Sequence, residues 1–238
     1  MISLRPADQR GHADHGWLRA QHSFSFADYY DPAEMGWGAL RVINEDRVAP
    51  GTGFGRHGHR DMEIVTYILS GALEHEDSLG HGGIIRRGEV QRMSAGKGIL
   101  HSEFNPSPSE ETHLLQIWIE PAGRGGAASY EQQALPLAAM RDDWHLVAAP
   151  DGAAGSTTIG QDARLWARLL GVGETATYRL AAGRLAYVHV VRGGLSVNGL
   201  PLVGGDGAKI ADEARLEFLA GEEAEFLLFD LPPVATSA

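Results

Sequence analysis

The feature that most constrains the fold is a pattern of strands and turns that occurs twice along the chain. In each half, an apolar strand ends at a glycine turn, a second strand follows, and a final apolar strand ends at proline. The matching segments are 63–69, Gly71, 72–77 and 113–119 before Pro121, and then 185–191, Gly193, 195–199 and 224–230 before Pro232. Runs of β-branched and aromatic residues between turn residues are typical of strands. The sequence therefore predicts an all-β protein with two related barrels.

The chain has 238 residues and 31 glycines, so it is long enough for two domains that each bury a core. The glycine- and alanine-rich segment 121–129 resembles a linker. We therefore predict an N-terminal barrel over residues 1–130 and a C-terminal barrel over residues 131–238. Asn198 and Gly199 predict a two-residue hairpin turn. Helix is expected only near 135–141 and close to the chain end, and the tail 234–238 is expected to fray.

Four side chains have the spacing of metal ligands on strands. His57 and His59 are two positions apart, as are His101 and Glu103, and such pairs project from the same face of a strand. Two such strands facing each other would supply three imidazoles and one carboxylate. Imidazole suits Fe, Cu, Ni, Zn, Co and Mn, and this ligand set leaves positions open for water, substrate or O2.

A pair of histidines alone is weak support for a metal site, and the surrounding residues strengthen it. Gly51 precedes the first pair and Glu63 follows it, and Gly96 and Asn105 flank His101. These two blocks resemble the two sequence motifs of the cupin superfamily. Four longer stretches resemble the pirin family of bicupins: 22–32, 40–44, 55–63 and 93–103. They lie within residues 1–121, and the remainder matches the second barrel of that family by strand pattern.

The resemblance to pirins implies a bicupin, with two jelly-roll (double-stranded β-helix) barrels in one chain. It implies that His57, His59, His101 and Glu103 hold one divalent transition metal ion. We expect Fe(II), with Ni, Co, Mn, Cu or Zn as alternatives. In most cupins the carboxylate ligand comes from the first block, which would make it Glu63 here. We favour Glu103, because it is two positions from His101 on the same strand face and because pirins use that position. Glu63 is then either a support for the ligands or a plain strand residue.

The second barrel is expected to lack a metal, because His145 and His189 are the only histidines after residue 121 and neither has a companion at i±2. The other histidines are interpreted as surface or hydrogen-bonding residues: His12, His15, His22, His75, His81 and His113. Of these, His113 is the candidate for supporting a ligand. Large apolar residues near the motifs are candidates for lining the barrel mouth or for core packing: Phe24, Phe26, Phe54, Met62, Met93 and Trp118.

The resemblance implies a quercetin 2,3-dioxygenase, which cleaves a flavonol with O2 and releases carbon monoxide. Glu103 would then be the catalytic residue that accepts the proton of the 3-hydroxyl group. The expected partners are a flavonol, or another enol or phenol, and O2. Two alternatives stay open: a redox-sensing pirin that regulates transcription factors through protein contacts, and a cupin isomerase or epimerase that acts on a sugar.

Composition excludes several other classes of function. A net charge of −11 and a pI near 5.4 argue against direct nucleic acid binding. Because there is no cysteine, any metal ligands must be histidine or carboxylate. No apolar segment is long enough for a membrane span or a signal peptide, so we expect a cytoplasmic protein. A bicupin pairs its two barrels within one chain, so we also expect a monomer.

Overall fold

The computed structural model describes residues 1–233 and places most of them in strands. The strands are β1 (Ile2–Arg5), β2 (Gly11–Asp14), β3 (Leu18–His22), β4 (Leu40–Val48), β5 (Gly53–His59), β6 (Glu63–Ser70), β7 (Ala72–Asp77), β8 (Gly82–Arg86), β9 (Glu89–Ser94), β10 (Ile99–Phe104), β11 (Thr112–Ile119), β12 (Ser129–Ala134), β13 (His145–Ala149), β14 (Thr157–Thr158), β15 (Arg164–Leu170), β16 (Thr175–Arg179), β17 (Leu185–Arg192), β18 (Gly194–Val197), β19 (Leu200–Val203), β20 (Gly207–Ile210), β21 (Arg215–Ala220) and β22 (Ala224–Leu231). The all-β prediction is confirmed.

Helix is confined to short pieces within the described range. The α-helix α1 (Ala139–Asp142) lies in the segment near which helix was predicted, and 3-10 turns form at Ala7–Gln9 and Ala153–Gly155. The predicted hairpin also forms: Asn198 and Gly199 have φ angles of 46° and 83°, as a type I′ turn requires. The predicted fraying of 234–238 lies outside the described residues.

Each barrel has one seven-stranded and one four-stranded sheet. In the first barrel the strand orders are β12-β9-β6-β11-β4-β3-β2 and β5-β10-β7-β8. In the second barrel they are β1-β20-β17-β22-β15-β13-β14 and β16-β21-β18-β19. With one exception, the short parallel pair β13 and β14, neighbouring strands are antiparallel. The two barrels of one chain have the bicupin architecture that the sequence predicted.

Two strands pair across the division predicted at residue 130. Strand β1, at the N-terminus, adds to the second barrel, where Ile2 lies opposite Ile210 on β20. Strand β12 spans residue 130, and all of it pairs with β9 of the first barrel. The division of the chain into 1–130 and 131–238 stays a prediction. Residues 2–5 of the first part pair in a sheet of the second barrel, and residues 131–134 of the second part pair in a sheet of the first barrel.

The two seven-stranded sheets pack face to face and form the core between the barrels. Alternation along β6 shows the arrangement, because Ile64 and Ile68 point into the first barrel while Val65 and Tyr67 point toward the second. Leu227 and Phe229 of β22 belong to the same cluster as Val65 and Tyr67. These strands are buried on both faces, which explains why their sequences are continuous apolar runs rather than alternating ones.

A polar cluster crosses this interface beside the apolar core. Glu225 of β22 is 0% exposed and accepts hydrogen bonds from Tyr67 Oη at 2.7 Å, Arg87 Nη1 at 2.9 Å and Arg192 Nε at 3.0 Å. Tyr67 and Arg87 belong to the first barrel, whereas Arg192 belongs to the second. Burial raises the pKa of Glu225, but the Arg87 guanidinium outweighs it and holds the pKa below its usual value. The carboxylate therefore ties the two barrels together.

The interiors of the two barrels differ in chemistry. The second is filled by one continuous apolar cluster that includes Val188, Phe218 and Phe226. In the first barrel the apolar residues separate into two smaller clusters. Buried polar residues occupy strands of this barrel: Asn44, Asp46, Thr66, His75, Gln91, His101 and Glu103. Because buried polar groups are costly unless they serve bonding or chemistry, the first barrel is where a functional site is expected.

Candidate metal centre

The predicted ligand strands β5 and β10 are hydrogen-bonded neighbours in one sheet, not opposite walls of the barrel as the sequence reasoning assumed. Antiparallel pairing places His101 directly across from His57, and a register irregularity follows between His101 and Glu103. Gly53 permits the close approach of the two strands, since a Cβ there would lie 2.2 Å from the carbonyl oxygen of Glu103.

Three imidazoles converge at this point of the sheet. The Nε2 atoms of His57 and His101 are 3.0 Å apart, and the ring of His59 lies 4.8 Å from each of the other two rings. One ring nitrogen from each of the three lies within 4.8 Å of the others. The structure therefore brings together the three histidines that the sequence selected.

The protonation of these rings suits a cation. His57 Nδ1 donates to the carbonyl oxygen of Gly55 at 2.8 Å, so its Nε2 is the ring nitrogen that faces the cluster. Burial, together with the charge of neighbouring histidines, lowers the pKa of His59 to about 4 and that of His101 to about 3. These two rings therefore offer lone pairs at neutral pH, as metal ligands must.

Glu103 lies beside this cluster and is 2% exposed. One of its oxygens, one nitrogen of His101 and one of His75 lie within 4.8 Å of one another. Gln116 Nε2 donates to the carboxylate at 3.0 Å and Gln91 Nε2 at 3.4 Å. Burial raises the pKa of Glu103 to about 7, although these hydrogen bonds act to lower it. A bound cation would favour the charged form. The donor set of three imidazoles and one carboxylate thus fits a divalent first-row metal.

Glu63, the alternative carboxylate, points elsewhere. It faces away from the barrel interior, is buried, and accepts a hydrogen bond from Ser94 Oγ at 2.6 Å. It belongs to neither of the two clusters within residues 1–233 whose atoms are close enough for a metal ion, and both of those clusters lie in the first barrel. Glu63 is a structural residue of the cleft that borders the second barrel.

A cavity of about 340 Å³ is lined at one end by His57, His59 and Glu103. Its aromatic lining comes from Phe26, Phe54 and Trp118, and the Trp118 ring lies 5.0 Å from that of His59. Of the other residues considered for the mouth, Phe24 and Met93 are buried in apolar clusters, and Met62 packs beside Met93. The cavity is therefore apolar on its walls, with titratable groups at one end, as ligand sites usually are.

Polar residues that the sequence reasoning missed also line this cavity. Asn44 Oδ1 accepts a hydrogen bond from His22 Nδ1 at 2.8 Å, and Asp46 is 4% exposed with an Oδ1 that has no hydrogen-bond partner. Burial raises the pKa of Asp46 to about 7, and the charge of Glu103 adds to it. Their signal in the sequence was the polar run 44–47 inside strand β4, where Asn44 and Asp46 are two positions apart and so share one face.

His113 was the histidine predicted to support a ligand, but the structure places its side chain away from the three converging histidines. Its Nε2 lies 2.8 Å from Glu45 Oε1, on the side of β11 that faces away from the barrel interior. The residue that contacts His101 is His75, which was interpreted only as a surface or hydrogen-bonding histidine.

Within residues 1–233, no helix is long and apolar enough to cross a membrane.

Comparison with known proteins agrees with this architecture. The family model described as Pirin matches residues 3–119, and the model described as Quercetinase C-terminal cupin domain matches residues 146–231. The protein named quercetin 2,3-dioxygenase of Escherichia coli K12 is 47% identical over 98% of this chain and 100% of its own length. A pirin-like protein of Caulobacter vibrioides is 47% identical over 97% of this chain and 99% of its own.

A solved structure extends the likeness to three dimensions. The bacterial pirin YhhW of Escherichia coli, crystallised in complex with nickel(II), superposes with a TM-score of 0.95 at 47% identity. The match covers 98% of this chain and 100% of that one. The likeness therefore includes both barrels and the region of the three converging histidines.

Proposed function

Because this chain belongs to the pirin family, we propose that it is a metal-dependent dioxygenase that cleaves a flavonol such as quercetin with O2 and releases carbon monoxide. The observation that carries the proposal is the convergence of His57, His59 and His101 beside the buried Glu103, at the end of an aromatic cavity. The full-length likeness to a protein named quercetin 2,3-dioxygenase supports the reaction class.

We assign His57, His59, His101 and Glu103 as the ligands of one divalent ion. Bound there, the ion would supply the Lewis acidity that stabilises a deprotonated hydroxyl group and the redox chemistry that a reaction with O2 needs. We propose Fe(II) as that ion. The complex of the related Escherichia coli pirin with nickel(II) supports a first-row metal at this site, with Ni(II) as an alternative ion.

The cavity walls are suited to a flat polyphenol. Trp118 and Phe26 stand nearly perpendicular to each other, with ring centroids 5.3 Å apart, and give one wall two aromatic surfaces. Gln116, Asn44 and Asp46 supply amide and carboxyl groups for hydroxyl groups at the ring edges. A planar aromatic ligand with hydroxyls at its rim would satisfy both kinds of surface.

Glu103 is the proposed base of the reaction. A carboxylate is a suitable acceptor for the proton of an acidic hydroxyl group, and burial favours its protonated form here. The side-chain amides of Gln116 and Gln91 donate to it and fix its orientation. The proton of the flavonol 3-hydroxyl would pass to Glu103 as the substrate enters, so the substrate becomes an anion beside the ligands.

The test is quercetin decay under air, followed by visible absorbance with carbon monoxide trapped. Protein loaded separately with Fe(II), Ni(II), Co(II), Mn(II) or Cu(II) is compared with His57→Ala and Glu103→Gln. We expect turnover with carbon monoxide release that requires metal and is lost in both variants. Metal binding by the wild type without turnover of any flavonol would refute the enzyme and favour the redox-sensing alternative.

We also propose that the two barrels act as a cytoplasmic monomer, with chemistry in residues 1–130 and support from residues 131–238. The burial of both seven-stranded sheets against each other within one chain supports this. Light scattering after size exclusion tests it, since a molar mass near twice 25.6 kDa would refute the monomer.

A further inference from the structure

Behind His101, a chain of hydrogen-bonded side chains leads from the metal centre to the protein surface. His101 Nδ1 lies 3.4 Å from His75 Nδ1, and His75 Nε2 lies 3.4 Å from Asp77 Oδ2. His81 Nδ1, at the outer end, lies 3.1 Å from the same oxygen. His75 is 1% exposed, whereas nearly half of the His81 side chain reaches solvent. Strand pairing produces this arrangement, because β7 places Asp77 opposite His101 and His75 opposite Glu103.

The orientation of Asp77 is fixed by the backbone. Its Oδ1 accepts the backbone N–H groups of Leu79 at 2.8 Å and His81 at 3.0 Å, so only Oδ2 faces His75. Burial raises the pKa of Asp77, but these backbone hydrogen bonds outweigh it and lower the pKa below its usual value. Asp77 is therefore a carboxylate, which accepts hydrogen bonds and donates none.

The rings of His75 and His81 are both packed against the ring of Tyr130. Tyr130 stacks on His75 with a centroid distance of 4.8 Å and an interplanar angle of 21°, and on His81 with 5.4 Å and 14°. A neutral imidazole carries one proton, on either of its two ring nitrogens. Which nitrogen carries it is then decided by hydrogen-bond partners.

We propose that Asp77 and His75 are positioning residues that set the tautomer of His101 and direct its Nε2 lone pair to the metal centre. Asp77 Oδ2 accepts, so His75 carries its proton on Nε2 and presents a bare Nδ1. That Nδ1 accepts from His101 Nδ1–H, which leaves His101 Nε2 unprotonated, 3.0 Å from His57 Nε2. The inference deepens the proposed function, since it rests on His101 being a ligand.

The substitution Asp77→Asn should reverse which ring nitrogen is protonated in both His75 and His101. In Asp77→Asn, the two backbone N–H groups retain the amide oxygen, so the NH2 group faces His75. His75 must then accept on Nε2 and donate from Nδ1, and His101 is forced to protonate Nε2, the atom meant for the metal. A similar carboxylate-to-amide change in serine proteases disables the histidine through the wrong tautomer.

The first experiment uses the full-length, metal-free protein with ¹⁵N-labelled histidine. Long-range ¹H–¹⁵N correlation spectra report which ring nitrogen is protonated. We expect protons on His101 Nδ1 and His75 Nε2 in the wild type, both reversed in Asp77→Asn and unchanged in His81→Asn. A wild-type His101 protonated on Nε2, or an Asp77→Asn spectrum without reversal, would overturn the proposal. This readout needs neither metal nor substrate, so it is independent of the proposed function.

The second experiment measures Ni(II) affinity by chelator competition. Asp77→Asn and His75→Leu are expected to weaken binding about 10- to 100-fold, the usual effect of losing a group that orients a ligand. His75→Asn, whose amide oxygen replaces the Nδ1 acceptor, should restore most of it, and His81→Asn should match the wild type. Equal loss in His75→Asn and His75→Leu would refute the tautomer argument. X-ray absorption should count the same number of imidazoles in His75→Leu as in the wild type, and one fewer would make His75 itself a ligand.

Discussion

Replacing Glu225 by glutamine tests how much the polar cluster between the barrels contributes to stability. The substitution keeps the size of the side chain but turns one acceptor oxygen into an NH2 group that faces arginine donors. Removing one partner of a buried ion pair costs about 3–5 kcal/mol. We expect the lower end, about 3 kcal/mol, because Arg87 and Arg192 reach solvent and can be hydrated, whereas the Tyr67 hydroxyl cannot.

Thermal unfolding followed by circular dichroism at pH 7 measures this. For a chain of this size, 1 kcal/mol corresponds to about 2–4 °C in Tm, so Glu225→Gln should lower Tm by about 6–12 °C. The matched control is Glu223→Gln, which removes a carboxylate from an exposed pair with Arg141 and should leave Tm unchanged.

Tyr67→Phe adds a second measure of the same hydrogen bond. Alone it should cost about 1.5 kcal/mol, since the lost bond was to a charged acceptor. Combined with Glu225→Gln, it should add little, because the two changes remove one shared interaction. The reasoning is refuted if Glu225→Gln shifts Tm no more than Glu223→Gln, or if the double variant loses the full sum.

Four further outcomes are expected. A hydrogen bond from His113 and the charge of Arg10 outweigh burial and lower the pKa of Glu45 to about 2. The stability that the charged Glu45 contributes is therefore present above pH 4.5 and lost as the pH falls toward 2. Over that interval, acid unfolding curves should show the wild type losing about 2–3 kcal/mol of stability relative to Glu45→Gln. Gly53→Ala forces a Cβ against the Glu103 carbonyl and should weaken Ni(II) binding at least about tenfold in chelator competition, while Gly55→Ala, with open space around its Cβ, should not. Added metal at 100 times its Kd should stabilise the fold by about 2.7 kcal/mol in calorimetry, and a chelator should reverse this; no shift would contradict a native metal site. Trp118→Leu should raise the KM for quercetin about fivefold to tenfold by loss of an aromatic surface, with metal affinity unchanged; an unchanged KM would place the substrate elsewhere.

The sequence located the histidines of the site because their signal is local. His57 and His59 are two positions apart on one strand, and strand geometry alone places them on one face. Strand bounds were predictable for a similar reason: 72–77 was predicted and observed without change, since Gly71 has φ 74° at the turn before it. Local conformational requirements of this kind leave clear traces in a sequence.

The residues that the sequence reasoning missed are those whose role depends on pairing between distant strands. His75 contacts His101 only because β7 lies next to β10 in a particular register, and a shift by one residue would turn it to solvent. Likewise, the place of β1 in the second barrel depends on pairing between residues more than two hundred positions apart. Register between distant strands was not available from the motifs.

The pairing of β1 with β20 makes the second barrel depend on a distant segment during synthesis. The partner of Ile2–Arg5 is Gly207–Ile210, so these four residues cannot join their sheet until position 210 has emerged from the ribosome. Domains of nascent chains usually fold from the N-terminus onward, but here the second barrel takes up a strand that precedes the first barrel in the sequence. Until then the backbone groups of Ile2–Arg5 have no partner strand, and unpaired strands are places where chains associate wrongly. Folding of the second barrel therefore depends on Ile2–Arg5 staying available while the first barrel forms.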